Sequence, residues 1–132
     1  MKNVLLDTSA YSNLLRGYKQ VLESIDEAET VNMSVIVIAE LLTGFRGGTG
    51  ESRNKEILKR FLSKPNVQII DASIETAEIF AHIKHLLKSS GIPIPINDVW
   101  IASHAIETGS VLITFDEHFN KVAGLRVLRL DY

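Results

Sequence analysis

The sequence predicts an α/β fold, a single-domain α/β/α sandwich built around a central, mostly parallel five-stranded sheet. Two observations lead to this prediction. Short apolar runs that are typical of buried strands alternate with longer segments of helical periodicity, as in parallel sheets covered by helices on both faces. The chain also has 132 residues, of which 45% are hydrophobic, and this is enough apolar material for one compact core without disulfides. One domain is therefore expected over residues 1–132.

The individual elements follow from apolar runs, helical periodicity and turn residues. The expected strands are 3–6, 30–33, 67–70, 111–115 and 126–130, and the expected helices are one ending near 16, then 18–28, 35–45, 51–63, 74–88 and 98–108. Thr8 or Ser9 is expected to cap the first helix and Asn97 the last, because short polar side chains bind the free N–H groups of a first turn. Ser34 fits the same role for the third helix. Proline excludes a helix interior from 92–96, which should be extended.

Composition excludes several classes of site. The chain has no cysteine, so it can form neither a thiolate nucleophile nor a cysteine zinc site. The net charge of −2 does not indicate a surface that binds nucleic acid as a whole, so such binding would need a local basic patch. No apolar run reaches membrane-spanning length and no signal-peptide pattern precedes the first strand, so a cytoplasmic protein without a membrane partner is expected.

Four acidic side chains are predicted to meet at one edge of the sheet. Asp7 and Asp116 each directly follow an apolar strand, and ligands of parallel sheets bind outside the carboxyl ends of the strands. Asp98 opens a helix after the proline-rich segment, and Glu40 is embedded in the apolar stretch of the third helix. Such carboxylates would repel one another unless a hard divalent cation bound between them, and Mg²⁺ and Mn²⁺ both prefer oxygen ligands.

Each of these acids also has a purely structural interpretation. Asp7 and Asp98 could cap helices, because a negative charge at a helix N-terminus is stabilising. Asp116 could be an ordinary loop acid, and Glu40 could lie on a narrow solvent-facing stripe of its helix. A structural explanation of all four, however, requires a coincidence that one shared site does not.

The segments around these acids resemble the motifs of PIN-domain ribonucleases, most closely those of VapC-type toxins from toxin–antitoxin pairs. In chain order the motifs are VLLDTSAYSNLL with Asp7, Thr8 and Ser9, MSVIVIAELLTG with Glu40, INDVWIASHAIETG with Asp98, and VLITFDEHF with Thr114 and Asp116. The resemblance covers nearly the whole chain and implies a PIN-like fold. Some members of the family have Asn where this chain has Asp116, and Glu117 is a nearby substitute for that acid.

The resemblance implies an endoribonuclease that hydrolyses RNA phosphodiesters with bound Mg²⁺, or with Mn²⁺ in its place. Asp7, Glu40 and Asp98 would be the main ligands, and Asp116 would hold a second ion or orient the attacking water. Hydroxyl groups beside the acids would fix the orientation of the ligand carboxylates, and these belong to Thr8, Ser9 and Thr114. The family also implies a cognate VapB-like antitoxin and a homodimer as partners.

A basic helical segment is expected to bind the RNA. Five cations crowd this part of the chain, namely Arg53, Lys55, Lys59, Arg60 and Lys64, and Arg46 precedes them in the loop. Of these, Arg46, Arg53 and Lys59 are the predicted substrate-binding residues, through salt-dependent phosphate contacts. The structural alternative is a solvated helix face.

Apolar residues on the first two helices could serve a homodimer interface. These residues are Tyr11, Leu14, Leu15 and Leu22, and ordinary core packing is the alternative for them.

The four histidines carry weaker signals. His82 and His85 are three apart on one helix and mimic a ligand pair, but no HExxH pattern accompanies them, so they are expected on the helix surface. His104 is expected on a helix face. His118 lies near Asp116 in the sequence and could touch substrate.

A receiver domain of a signalling pair is the main alternative from another class, because it too is a doubly wound sheet with an acidic Mg²⁺ pocket. It requires adjacent acids after the first strand and a Lys after the fifth, whereas here Thr8 follows Asp7, and Asp131 follows the fifth strand. A haloacid-type phosphatase requires Asp-x-Asp, where this chain has Asp-Thr-Ser. A catalytically inactive PIN module used for binding is a further alternative, and the four intact acids argue against it.

Overall fold

The computed structural model describes residues 2–132 and contains one sheet of five strands. The strands are β1 (Asn3–Leu6), β2 (Thr30–Ser34), β3 (Val67–Ile70), β4 (Val111–Thr114) and β5 (Val127–Arg129). They lie in the order β3-β2-β1-β4-β5, and every neighbouring pair is parallel. The predicted α/β fold is confirmed, with a sheet that is parallel throughout. The receiver-like alternative is wrong, because that fold has the strand order 2-1-3-4-5.

Six α-helices and one 3₁₀ helix accompany the sheet in the described part of the chain. They are α1 (Thr8–Leu15), α2 (Lys19–Glu27), α3 (Val35–Phe45), α4 (Glu51–Leu62), α5 (Ile74–Ser89), α6 (Ile96–Glu107) and the 3₁₀ helix Glu117–Lys121. The α-helices begin and end within two residues of the expected positions. The 3₁₀ helix was not expected, since five residues are too few to show a periodic apolar pattern. No helix in residues 2–132 combines the length and the apolar character that crossing a bilayer requires.

The cap expected for α1 at Thr8 or Ser9 is wrong, whereas the structural interpretation of Asp7 as a helix cap is correct. Asp7, rather than Thr8 or Ser9, holds the N-cap position, and its Oδ1 accepts the Ala10 N–H at 2.8 Å. Aspartate caps a helix as well as serine does. The Asp7 carboxylate therefore caps α1 and also lies at the carboxyl edge of the sheet.

The predicted cap of α6 is also wrong, whereas that of α3 is correct. Pro95 holds the N-cap position of α6, so Asn97 lies inside the first turn and its side chain donates to Glu40 Oε2 at 3.3 Å. Proline suits this place because the first N–H groups of a helix lack intrahelical partners. Ser34 caps α3 as expected, since its Oγ accepts the Ile36 N–H at 3.1 Å.

The core surrounds the central strand β1, whose residues Val4, Leu5 and Leu6 are completely buried. His104 was expected on a helix face, but it is a core residue, and its Nδ1 lies 2.7 Å from Ser34 Oγ. This contact joins the interior of α6 to the start of α3. Burial lowers the pKa of His104, so its neutral form is favoured.

Surface positions on the helices agree with most expectations. His82 and His85 are exposed on α5. Of the apolar residues considered for a dimer interface, Tyr11 is fully buried and belongs to the core. Leu15 and Leu22 are 45% and 51% exposed, so they remain available apolar surface.

Candidate metal centre

A depression of about 320 Å³ at the carboxyl edge of the sheet brings the four predicted acids together. Its lining consists of Asp7, Thr8, Ser9, Ser12, Glu40, Asp98, Ile101 and Asp116. These residues come from the end of β1, from α1, from α3, from the start of α6 and from the segment after β4. The sheet order explains the convergence, because β1 lies between β2 and β4 and places their carboxyl ends side by side.

Asp7 is the most buried of the four acids, with 5% of its surface exposed. Its Oδ1 accepts hydrogen bonds from the Ser9 hydroxyl at 2.7 Å and from the Ala10 N–H, and its Oδ2 accepts one from the Thr114 hydroxyl at 2.5 Å. Burial raises the pKa of Asp7, the hydrogen bonds lower it in part, and the nearby Asp98 charge adds to the rise. The carboxylate is therefore held in one orientation at an energetic cost to its charged form.

Glu40 is turned toward the start of α1 rather than toward a solvent stripe. The Thr8 hydroxyl donates to Glu40 Oε1 at 2.5 Å, and the Asn97 amide donates to Oε2. Both carboxylate oxygens therefore have a partner that fixes their direction. The three hydroxyl groups expected beside the acids are hydrogen-bonded to them: Thr8 to Glu40, and Ser9 and Thr114 to Asp7.

Ser9 and Thr114 also tie the strands to the site. The Ser9 hydroxyl, which donates to Asp7, accepts the Phe115 N–H at 3.1 Å. The Thr114 hydroxyl, which also donates to Asp7, accepts the Asp116 N–H at 2.9 Å. The backbone after β4 is thus held against Asp7 through two hydroxyl groups.

Asp98 lies in the first turn of α6, and it does not hold the N-cap position that the structural interpretation assigned to it. His118 Nε2 lies 2.5 Å from Asp98 Oδ2, and His118 Nδ1 lies 2.9 Å from Asp116 Oδ1. Burial raises the pKa of Asp98, the His118 contact opposes this, and the charges of Glu40 and Asp116 raise it further. The sequence gave only a weak indication of His118, namely that it stands two residues after an acid in TFDEHF.

The donor set fits a hard divalent cation. Every lining residue except Ile101 carries a carboxylate or a hydroxyl group, and no Lys or Arg lines the depression within residues 2–132. Burial raises the pKa values of both Asp7 and Asp98, and the charges of neighbouring acids raise them further. The contact with His118 opposes this rise at Asp98. An oxygen-preferring ion such as Mg²⁺ would supply a compensating positive charge.

The predicted substrate-binding cations lie apart from the acids. Arg46, Arg53 and Lys59 are exposed, and in the part of the chain that the structure describes none of them lines the acidic depression. Lys59 and Lys55 instead border a separate groove of about 650 Å³ between α3, α4 and β3. Their role in RNA binding stays a prediction.

The sequence model of the PIN domain family matches residues 4–125. Ribonuclease VapC2 of Rickettsia felis is 32% identical over 110 residues, which cover 83% of this chain and 81% of that protein. Ribonuclease VapC2 of Haemophilus influenzae strain Rd is 30% identical over 129 residues, which cover 96% of each.

Solved structures agree with these similarities. A chain in the crystal structure of VapBC2 from Rickettsia felis, bound to a DNA fragment from their promoter, matches with a TM-score of 0.87 at 26% identity, over 98% of this chain and 99% of that one. The structure of VapBC-1 from nontypeable Haemophilus influenzae matches with a TM-score of 0.84 at 26% identity, over 96% and 97%. The chain therefore belongs to the PIN domain family and, within it, to the VapC ribonucleases.

Proposed function

We propose that this chain is a Mg²⁺-dependent endoribonuclease and the toxin of a VapBC-type toxin–antitoxin pair, with residues 1–132 acting as one PIN domain. The observation that carries the proposal is the convergence of Asp7, Glu40, Asp98 and Asp116 in one depression. Relatives named ribonuclease VapC support the reaction class. A catalytically inactive PIN module is the remaining alternative, and it gives no reason for four oriented acids.

Asp7, Glu40 and Asp98 would hold the metal ion, and Mn²⁺ would fit the same oxygen ligands. A bound ion of this kind would neutralise the RNA phosphate and lower the pKa of a water molecule. Asp116 has a side chain that is 41% exposed, which suits a group that holds a second ion or orients the attacking water.

The remaining residues of the depression orient the acids. Thr8 keeps Glu40 turned into the site, and Thr114 and Ser9 keep Asp7 in place. Outer partners of this kind hold ligand carboxylates in the geometry that an ion requires, so that the site does not have to reorganise during binding.

The partners of this chain are RNA as substrate, a VapB-like antitoxin and a second copy of the chain, and its place is the cytoplasm. The structures of similar proteins are VapBC complexes, and this supports the antitoxin. The exposed Leu15 and Leu22 supply apolar surface that an assembly would cover.

A direct experiment is to incubate the purified chain with total RNA, with Mg²⁺ or with EDTA, and to map the new RNA ends. Cleavage at defined positions is expected with Mg²⁺ and not with EDTA. Asp98→Asn should abolish it. Asp71→Asn is the matched control, because Asp71 also directly follows a strand but is exposed and lies outside the depression. Cleavage that persists in EDTA would contradict the proposal, and RNA binding without cleavage would favour the inactive module.

A further inference from the structure

We infer that His118 is a positioning residue that sets the spacing of Asp98 and Asp116, so that the two carboxylates meet a metal ion as one unit. The inference rests on the proposed metal-dependent function. It concerns a residue outside the four acids, contributed by the 3₁₀ helix Glu117–Lys121.

Both ring nitrogens of His118 are already engaged. Nε2 lies at hydrogen-bond distance from Asp98 Oδ2, and Nδ1 lies at hydrogen-bond distance from Asp116 Oδ1. A histidine that binds a metal directs the lone pair of one nitrogen at the ion. Because both nitrogens of His118 face carboxylate oxygens, the arrangement matches an orienting group better than a ligand.

The two carboxylates keep one oxygen each for an ion. Asp98 Oδ2 and Asp116 Oδ1 are the atoms that His118 contacts, whereas Asp98 Oδ1 and Asp116 Oδ2 make no hydrogen bond within residues 2–132. The imidazole thus fixes how the two side chains are turned and leaves their other oxygens available.

The segment that carries the His118 ring is fixed by hydrogen bonds and by burial of a neighbouring side chain. Asp116 caps the 3₁₀ helix by accepting the His118 N–H at 3.3 Å, and the next residue, Phe119, is 1% exposed. The Asp116 backbone is in turn bonded to Thr114. His118 therefore reaches from a fixed base after β4 across to the first turn of α6.

Loss of the His118 contacts would leave repulsion between the Asp98 and Asp116 carboxylates without compensation. Burial raises the pKa of Asp98 and the charge of Asp116 raises it further, whereas the contact with His118 lowers it. Removal of the imidazole would leave two like charges on separate segments, free to adopt rotamers that no longer converge.

The test uses Mn²⁺ as the probe, because its free aquo ion has an electron paramagnetic resonance signal that is lost on binding. Wild type, His118→Ala, His118→Gln and the control His82→Ala, whose histidine is exposed on α5, are titrated with Mn²⁺ as full-length chains. His118→Ala should weaken Mn²⁺ affinity by about 10–100-fold, the range for loss of an outer partner of a ligand. His118→Gln should recover part of this loss, because its amide can still donate to one carboxylate, and His82→Ala should match wild type.

Two further measurements separate positioning from other roles. Melting in EDTA should place His118→Ala within a few degrees of wild type, whereas a structural role alone would lower the melting temperature and leave the Mn²⁺ affinity of the folded protein unchanged. Pulsed resonance of the wild-type Mn²⁺ complex should show no coupling to a directly bound imidazole nitrogen. A coupling that disappears in His118→Ala would make His118 a ligand and overturn the inference.

The same titration distinguishes this inference from the proposed function. If wild type binds no Mn²⁺, the metal-dependent function fails and the inference fails with it. If wild type binds Mn²⁺ and His118→Ala binds it equally well, the inference alone is wrong.

Discussion

The acidic depression and the groove between α3 and α4 differ in how their charged side chains are held. In the depression each of the four acids accepts a hydrogen bond from a hydroxyl, an amide or an imidazole. In the groove Lys55 and Lys59 are exposed and make no ion pair within the described residues, and the walls are largely apolar, with Ile38, Leu42, Leu58, Leu62 and Ile69. The groove is also about twice as large, at 650 Å³ against 320 Å³.

The size of a concavity therefore does not single out the proposed metal site of this chain. Chemistry at a phosphodiester requires groups held in fixed positions, because small displacements of a ligand are expensive in rate. Attraction of a phosphate backbone or of a partner chain requires only charge or apolar area, which flexible lysines and exposed leucines supply.

Removal of one charge in the depression should have the largest effect. Asp7→Asn and Glu40→Gln should each reduce Mg²⁺-dependent RNA cleavage by at least about 100-fold, beyond the 10–100-fold effect of losing an outer partner. Circular dichroism should show a native fold for both, because Asn can still cap α1. The matched control is Glu56→Gln, because Glu56 lines the groove between α3 and α4. This variant should leave the rate unchanged at saturating RNA. Full activity in either test variant would remove that residue from the site.

Loss of an orienting hydroxyl should have an intermediate effect. Thr114→Val keeps the shape of the side chain but removes both the donor to Asp7 Oδ2 and the acceptor of the Asp116 N–H, so metal affinity should fall by about 10–100-fold. Calorimetric titration with Mn²⁺ measures this. Thr43→Val should bind the ion like wild type, since Thr43 is exposed and bonds the Ala39 carbonyl of its own helix. Equal affinities for the two variants would mean that orientation of Asp7 does not matter.

The free energy of unfolding without metal should show the cost of keeping the Asp7 charge buried. The pKa of Asp7 is raised in the folded protein, so the folded chain binds this proton more tightly than the unfolded chain. The free energy of unfolding therefore falls as the pH rises from the ordinary pKa of an aspartate through the raised value, and it stays lower above that range. Asp7→Asn removes this penalty and should melt a few degrees above wild type in EDTA at pH 7, where about 1 kcal/mol corresponds to roughly 4 °C for a chain of this length.

The advantage of Asp7→Asn should shrink toward pH 4 and should vanish or reverse when saturating Mg²⁺ is added to wild type. Asp98→Asn should likewise melt no lower than wild type in EDTA, because the pKa of Asp98 is also raised. A clear loss of melting temperature for Asp98→Asn would instead mean that its negative charge in the first turn of α6 is the dominant contribution.

The cations of the groove should give the smallest effect, and it should appear in binding rather than in chemistry. Replacing both Lys55 and Lys59 by Gln, in an Asp7→Asn background that prevents cleavage, should reduce the slope of log affinity against log salt by about 0.7 for each lost contact with single-stranded RNA. Metal affinity should not change. Lys84→Gln with Lys88→Gln, two exposed lysines on α5, is the control pair. An unaltered slope would identify the basic segment as a solvated helix face.

The sequence predicted the parts of this structure that depend on strand ends. Asp7 and Asp116 could be placed together because each follows an apolar strand, and parallel strands present their carboxyl ends on one side. Glu40 and Asp98 were placed at the same edge because one acid is embedded in an apolar helix and the other opens a helix after the proline-rich segment. Their roles as main ligands came from the resemblance.

The errors concern contacts that short-range patterns do not encode. Asp7 rather than Thr8 caps α1, since capping preference alone does not separate neighbouring Asp, Thr and Ser residues. The positions of His104 and His118 depend on tertiary packing, because Ser34 lies 70 residues from His104 and Asp98 lies 20 residues from His118. Helical or strand periodicity in the sequence does not predict contacts between residues that are so far apart in the chain.

The position of β1 has a consequence for synthesis of the chain. The strand is made first, yet it lies between β2 and β4, and the Thr114 hydroxyl that orients Asp7 lies 107 residues later. Chains emerge from the ribosome N-terminus first, so Asp7 cannot form its hydrogen bond with Thr114 until β4 has been synthesised. A chain whose synthesis has stopped before the end of β4 therefore lacks Asp116, His118 and the closed depression. For a protein with the proposed activity, this makes synthesis past β4 and the 3₁₀ helix a condition for a formed metal site.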